Sequence, residues 1–141
     1  MKKHKIAAIF SALCIVILCV SLFTACQKIE RIEASQVERI VIWAQNTEEY
    51  ELNAEDAARF IELYNASKYK GKGTGEGGTA EFGICVYFRD GTCLRANDFF
   101  GKLEVSIHNV DGKTRDWYYI SSEELYTFVS ELADSIKENK I

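Results

Sequence analysis

The chain has 141 residues, a formal net charge of −4, 27% charged residues, 48% hydrophobic residues and 12% aromatic residues. This composition excludes a disordered chain, which needs low hydrophobicity and high net charge, and the length suits one domain. There is no basic excess to hold a nucleic-acid backbone, so nucleic acid is excluded as a partner. Three of the five cysteines, Cys14, Cys19 and Cys26, fall within the first 26 residues, so the set is not a disulfide framework.

Met1 to Lys5 is a short positive segment, and Ile6 to Ala25 is an apolar run broken only by Ser11, Ser21 and Thr24. Cys26 follows, and then the polar run Gln27-Lys28-Ile29-Glu30-Arg31. Cations, an apolar middle and a small residue before a cut site make a secretory signal peptide over residues 1–25. The end of the run, Leu22-Phe23-Thr24-Ala25-Cys26, resembles the lipobox of bacterial lipoproteins. Phe23 departs from the smaller aliphatic residue usual at its position. The resemblance implies cleavage between Ala25 and Cys26, a diacylglyceryl group on Cys26, and a lipid-anchored protein on the extracytoplasmic face of the cell membrane. It covers residues 1–26 only. The chain behind it resembles small Gram-positive lipoproteins without pointing to one named family. The apolar run is also long enough to remain as an uncleaved span, which would put the domain on the same side. Cleavage removes Lys2, Lys3 and Lys5 and leaves 14 positive against 21 negative residues, a balance of −7. An acidic domain is repelled by anionic lipid, so the anchor itself must supply the membrane affinity.

Residues 26–36 are polar and read as a lipidated N-terminus and tether, with one α+β domain over residues 37–141. Arg39 to Trp43 is β-branched and aromatic and predicts a strand; Tyr50-Glu51-Leu52 predicts a short partner. Asn53 is an N-cap with Glu55 and Asp56 in the first turn, and Ala57, Phe60, Ile61 and Tyr64 form one helical face ending near Ala66. Lys68 to Gly78 holds five glycines and three lysines and reads as a mobile loop. Glu81–Phe88 and Thr92–Asn97 predict a hairpin. A three-residue loop, Arg89 to Gly91, sets Ile84, Val86 and Phe88 opposite Ala96, Leu94 and Thr92 and keeps one face apolar. Leu103, Val105 and Ile107 alternate with Glu104, Ser106 and His108, a strand with one wet face. Asp111-Gly112 is a turn and Trp117 to Ile120 the returning strand. Ser121 with Glu124 predicts a capping box, and Leu125, Phe128, Val129, Leu132 and Ile136 form the stripe of the last helix. The expected fold is an antiparallel sheet of about four to six strands with two helices on one face, in the order β-α-β-β-β-β-α.

Chemistry-bearing motifs are few. Gly73-Thr74-Gly75-Glu76-Gly77-Gly78 matches G-x-G-x-x-G but follows a helix and precedes a strand, the reverse of the phosphate-binding context. In the chosen register Cys93 opposes Tyr87, so Cys85 and Cys93 are diagonal neighbours, about 7–8 Å apart and beyond disulfide reach. A slipped register would reverse that. His108 is the only histidine after the leader, and no metal-ligand spacing or nucleophile elbow accompanies it, so neither a cofactor nor a metal is implied. The aromatics remain. Trp43, Tyr50, Phe99, Phe100, Trp117, Tyr118 and Tyr119 exceed what a small core needs, and exposed aromatics anchor partners or stack on sugars; Trp43, Phe99, Phe100, Trp117 and Tyr119 are the candidate binding residues. The expected function is that of a non-enzymatic binding or accessory module of the cell envelope, with an envelope protein, peptide or glycan as partner. The alternatives are a small hydrolase using paired carboxylates, or a thiol redox or metal lipoprotein built on Cys85, Cys93 and His108.

Overall fold

Ile40, Ile42 and Ala44, then Phe82, Ile84 and Val86, then Leu103, Val105 and Ile107 alternate with their neighbours along three strands and share one buried surface. This surface is the core of the computed structural model, which describes residues 28–75 and 79–138. The leader, the cut between Ala25 and Cys26, and the lipid site at Cys26 lie outside the described residues. The elements are β1 (Val37–Ala44), β2 (Tyr50–Glu51), α1 (Ala54–Ala66), β3 (Lys68–Lys72), β4 (Phe82–Phe88), β5 (Cys93–Phe99), β6 (Lys102–His108), β7 (Thr114–Ser121) and α2 (Glu123–Lys137). Among the described residues they form one seven-stranded sheet in the order β2-β1-β4-β5-β6-β7-β3, antiparallel at every pairing. The fold class is α+β, with both helices on one face.

Two strands more than the expected order extend the sheet, one at each edge. β2 is the short partner of β1 anticipated at Tyr50. β3 takes up the first part of the glycine- and lysine-rich segment read as a loop. Lys68 pairs with Ser121 and Tyr69 with Ile120, and the register then shifts before Gly71 meets Tyr119. Lysines and a bulge on an outer strand protect a sheet edge from further pairing. The local glycine signal was therefore outweighed by the open hydrogen-bonding edge that β7 offered.

The β4–β5 register is the one derived from the face pattern: Ile84 faces Ala96, Val86 faces Leu94, and Tyr87 faces Cys93. Gly91 sits at φ 85° in the connecting turn, a conformation that glycine reaches without steric cost. α1 begins as expected. The Asn53 Oδ1 accepts hydrogen bonds from the Glu55 and Asp56 amides at 3.0 and 2.9 Å. α2 begins one residue later than expected. Ser121 stays in β7, paired with Lys68, and the Ser122 Oγ accepts the Leu125 amide at 3.1 Å. The third helical position is then Leu125, so the box with Glu124 does not form, although Glu123 and Glu124 still favour the positive helix end.

The helices join through Arg59, which pairs with Glu62 on its own helix and with Glu124 on α2. Beneath them the Tyr64 and Tyr118 hydroxyls meet at 2.7 Å in a buried contact between α1 and β7. Burial and the neighbouring phenol hold the Tyr64 hydroxyl protonated well beyond its ordinary range.

The segment before β1 is packed. Ile32 is 2% exposed and joins the core. Its amide donates to the Asn65 Oδ1 at 2.8 Å, and its carbonyl accepts from the Asn65 Nδ2 at 2.9 Å. Glu30 pairs with Arg115, and its amide donates to the Tyr118 hydroxyl at 3.3 Å. Ile32→Ala is expected to destabilise the domain by about 2–4 kcal/mol, measured by urea unfolding. A change below about 0.5 kcal/mol would mean that the segment is only resting on the surface.

Candidate functional site

Because successive strand residues point to opposite faces, the residues that alternate with the core form the second face of the sheet. Neither helix covers it. Register places them in three rows across the strands. The central row runs Trp43, Gly83, Asn97, Glu104, Tyr119 and Gly71. The next runs Val41, Cys85, Arg95, Ser106 and Trp117. The third runs Arg39, Tyr87, Cys93, His108 and Thr114, with the Arg39 guanidinium 4.5 Å from the centre of the Tyr87 ring.

Of the seven aromatics singled out from sequence, Trp43, Phe99, Trp117 and Tyr119 stand on this face, whereas Tyr118 is buried in the core and Tyr50 lies on the edge strand β2. Trp43 begins the central row and Tyr119 stands next to its last member, Gly71, while Trp117 lies diagonal to Glu104. Phe99 ends β5, with its ring 5.5 Å from Tyr119. Phe100 is in the β5–β6 turn, its ring edge-on to Phe99 at 4.9 Å. Trp43 and Phe100 do not meet: they belong to separate parts of the face.

The middle of the face is not wet, although Arg39, Arg95 and Thr114 on it are exposed. Glu104 is 7% exposed and Ser106 is 6% exposed, contrary to the alternation reading of β6. The cause is the chain following β3. Gly73 donates its amide to the Trp117 carbonyl at 2.9 Å. An added Cβ at Gly73 would lie 2.4 Å from Trp117 Cδ1 and 3.0 Å from Glu104 Oε1; at Gly75 it would lie 2.8 Å from Trp117 Cζ3. Bare backbone is therefore laid over the indole and the carboxyl. Across the row, a Cβ at Gly83 would meet Asn97 Oδ1 at 2.3 Å and Trp43 Nε1 at 2.8 Å, so both side chains lean into the space above that glycine.

Three buried side-chain atoms on this face have no hydrogen-bond partner among the described residues: Asn97 Oδ1, Glu104 Oε1 and Trp117 Nε1. Native folds leave few such atoms, and each costs about 1–3 kcal/mol. Glu104 and Asn97 were missed as site residues. The signal was indirect: once β6 pairs with β7, Glu104 faces Tyr119 and Ser106 faces Trp117, an apolar setting for a carboxylate.

The thiols and the histidine share the face as well. Cys85 and Cys93 are free; Cys85 is 4% exposed, and burial pushes its thiol up to about 11. His108 faces Cys93 across β5 and β6, but its ring nitrogens contact the Ser106 Oγ at 2.9 Å and the Thr114 Oγ1 at 3.3 Å. The imidazole is thus engaged by hydroxyls. No group of three or more metal-ligating side chains occurs among the described residues. No second acid stands on the central row with Glu104.

The β5–β6 turn breaks a local rule. Phe100 and Gly101 have φ of 50° and 77° between paired Phe99 and Lys102, a two-residue turn that favours Asn-Gly. An aromatic residue is held in left-handed backbone while 86% exposed. Its one ring contact among the described residues is the edge-on one with Phe99.

Comparison with known families, with curated proteins and with solved structures finds no match for this chain. Among the described residues no helix is long and apolar enough to cross a membrane.

Two outcomes are expected. Phe100→Asn should raise stability by roughly 0.5–1 kcal/mol, because Asn tolerates the left-handed conformation. Thermal and urea unfolding check it. The folded state also holds the Cys85 proton more tightly than the unfolded chain does, from an ordinary 9.0 up to about 11. That contribution is full below pH 9 and declines as pH rises toward 11. Cys85→Ala should flatten this decline in urea midpoints, and native Cys85 should resist iodoacetamide at pH 8 until the chain is unfolded.

Proposed function

We propose that this chain is a membrane-anchored extracytoplasmic lipoprotein, held by a diacylglyceryl group on Cys26, that acts as a non-enzymatic binding or accessory module of the cell envelope. Its partner is an envelope protein, peptide or glycan, bound on the open face of the sheet. The observation that carries this reading is the open face itself: two indoles, Tyr119 and Phe99 surround buried polar atoms that lack partners. A strained, exposed Phe100 extends the aromatic surface at its edge. The leader supports the anchor.

Anchor and domain are close in this reading. Two residues, Gln27 and Lys28, separate Cys26 from Ile29, which packs on the core, so three chain steps span at most about 10 Å. A diacyl anchor supplies stable membrane affinity where the domain's acidic balance does not.

Two measurements test the reading. The intact mass of membrane-extracted protein should equal residues 26–141 plus a diacylglyceryl group; a mass retaining residues 1–25 would overturn the lipid anchor. A photo-crosslinkable residue in place of Phe100 should capture envelope material in intact cells, and the added substitutions Trp43→Ala and Tyr119→Ala should reduce the yield several-fold. An equal yield would remove the open face as the binding surface.

A further inference from the structure

We infer that the outer edge strand β3 is a docking surface for anionic lipid, on which the sheet stands edge-on against the membrane. This rests on a membrane anchor before Lys28, and it names the surface that faces the bilayer.

The negative balance of the chain is not spread evenly. β3 carries Lys68, Lys70 and Lys72 within five residues, all exposed. Two cavities flank the strand, and each adds a lysine. Lys102, at the start of β6, lines one with Lys70; Lys28 lines the other with Lys72. None of these lysines forms an ion pair among the described residues, whereas Lys113 and Lys137 do. The acids lining the same cavities are Glu30, which is paired with Arg115, Asp116 and Glu123. The opposite edge has the reverse sign. β2 and the loop before it carry Glu48, Glu49 and Glu51, all exposed. Six strand spacings, about 29 Å, separate the two edges. That is about three screening lengths at 0.1 M salt, so an anionic surface at β3 attracts the lysines without sensing the far glutamates.

The described chain starts on the basic side. Lys28 shares a cavity with Lys72, and Ile29 packs on the core immediately after it. Glu30 is fixed there by the Tyr118 hydroxyl and by Arg115. Two chain steps, at most about 7 Å, lead from Lys28 back to Cys26. An anchor at Cys26 therefore holds Lys28 and Lys72 within about one screening length of the headgroups. A leader retained as a span ends at the same place and does the same. A second copy of the chain fits this edge less well. Lysines and a bulge oppose strand addition, and two such edges repel each other. Anionic lipid matches the sign and asks for no backbone pairing. The domain then stands on β3 with β2 outermost, and both faces of the sheet stay clear of the bilayer.

The experiment reconstitutes the membrane-extracted protein at low salt in two kinds of vesicle: phosphatidylcholine alone, and an equal mixture with phosphatidylglycerol. An amine-reactive reagent followed by peptide mass mapping reads each lysine. Lys137, beside Glu48 and Glu49 at the far edge, is the internal reference. The expected result is that Lys68, Lys70 and Lys72 react several-fold more slowly in the mixed vesicles, and that high salt removes the difference. The triple variant Lys68→Gln, Lys70→Gln, Lys72→Gln should keep the unfolding midpoint, because all three side chains are exposed. It should lose most of the lipid dependence at Lys28 and Lys102. Equal rates in the two kinds of vesicle, or slowing that survives high salt, overturn the docking surface. Slowing in uncharged detergent that grows with protein concentration assigns the edge to a second copy and overturns lipid as its partner. The intact mass separately decides the anchor: a chain with neither lipid nor leader overturns the anchor, whereas equal lysine rates on an anchored chain overturn only the docking.

Discussion

Both helices pack on one face of a seven-stranded sheet, and the opposite face must be closed by its own side chains. That asymmetry governs the molecule. On the helix side, Phe60, Leu63 and Tyr64 of α1 and Leu125, Val129, Ala133 and Ile136 of α2 bury the alternate positions of the central strands. On the other side the chain after β3 folds back as bare backbone over Trp117 and Glu104. The glycines there are needed for close approach: a side chain at Gly73 or Gly75 would collide with the indole.

The two faces solve the problem of buried polar groups differently. Beneath the helices, Tyr64 and Tyr118 satisfy each other, and the Glu30 amide joins them. On the other face Asn97, Glu104 and Trp117 each leave one buried atom without a partner among the described residues. A fold under selection for stability alone would replace such atoms with apolar ones at little cost. The same face keeps Phe100 in left-handed backbone where asparagine would be easier. Stability is therefore given up twice, once on this face and once in the turn at its edge.

The thiols and the imidazole share that face without forming a reaction centre. Cys93 lies opposite His108, the arrangement that a thiol-based mechanism would need, yet the ring is engaged by Ser106 and Thr114. Cys85 is shielded, and burial favours its protonated form. Glu104 has an amide, Asn97, as its cross-strand neighbour where paired-acid hydrolysis would want a second carboxyl.

Local pattern carried most of the fold. Alternation at Ile84, Val86 and Leu94, Ala96 set the β4–β5 register, because a slip by one residue would have turned polar groups into the core. The Asn53 cap and the apolar stripe of α2 were equally legible, since caps and helical period are written within a few residues. Three features were decided only by tertiary structure. β3 formed from a glycine- and lysine-rich segment because β7 offered an unpaired edge. Ile32 became core because Asn65 hydrogen-bonds its backbone on both sides. Glu104, polar by alternation, became buried because a distant glycine closed over it. The sequence by itself determined which residues alternate, cap and pack. What covers each face depends on contacts between segments far apart in the chain, and those have no local signature.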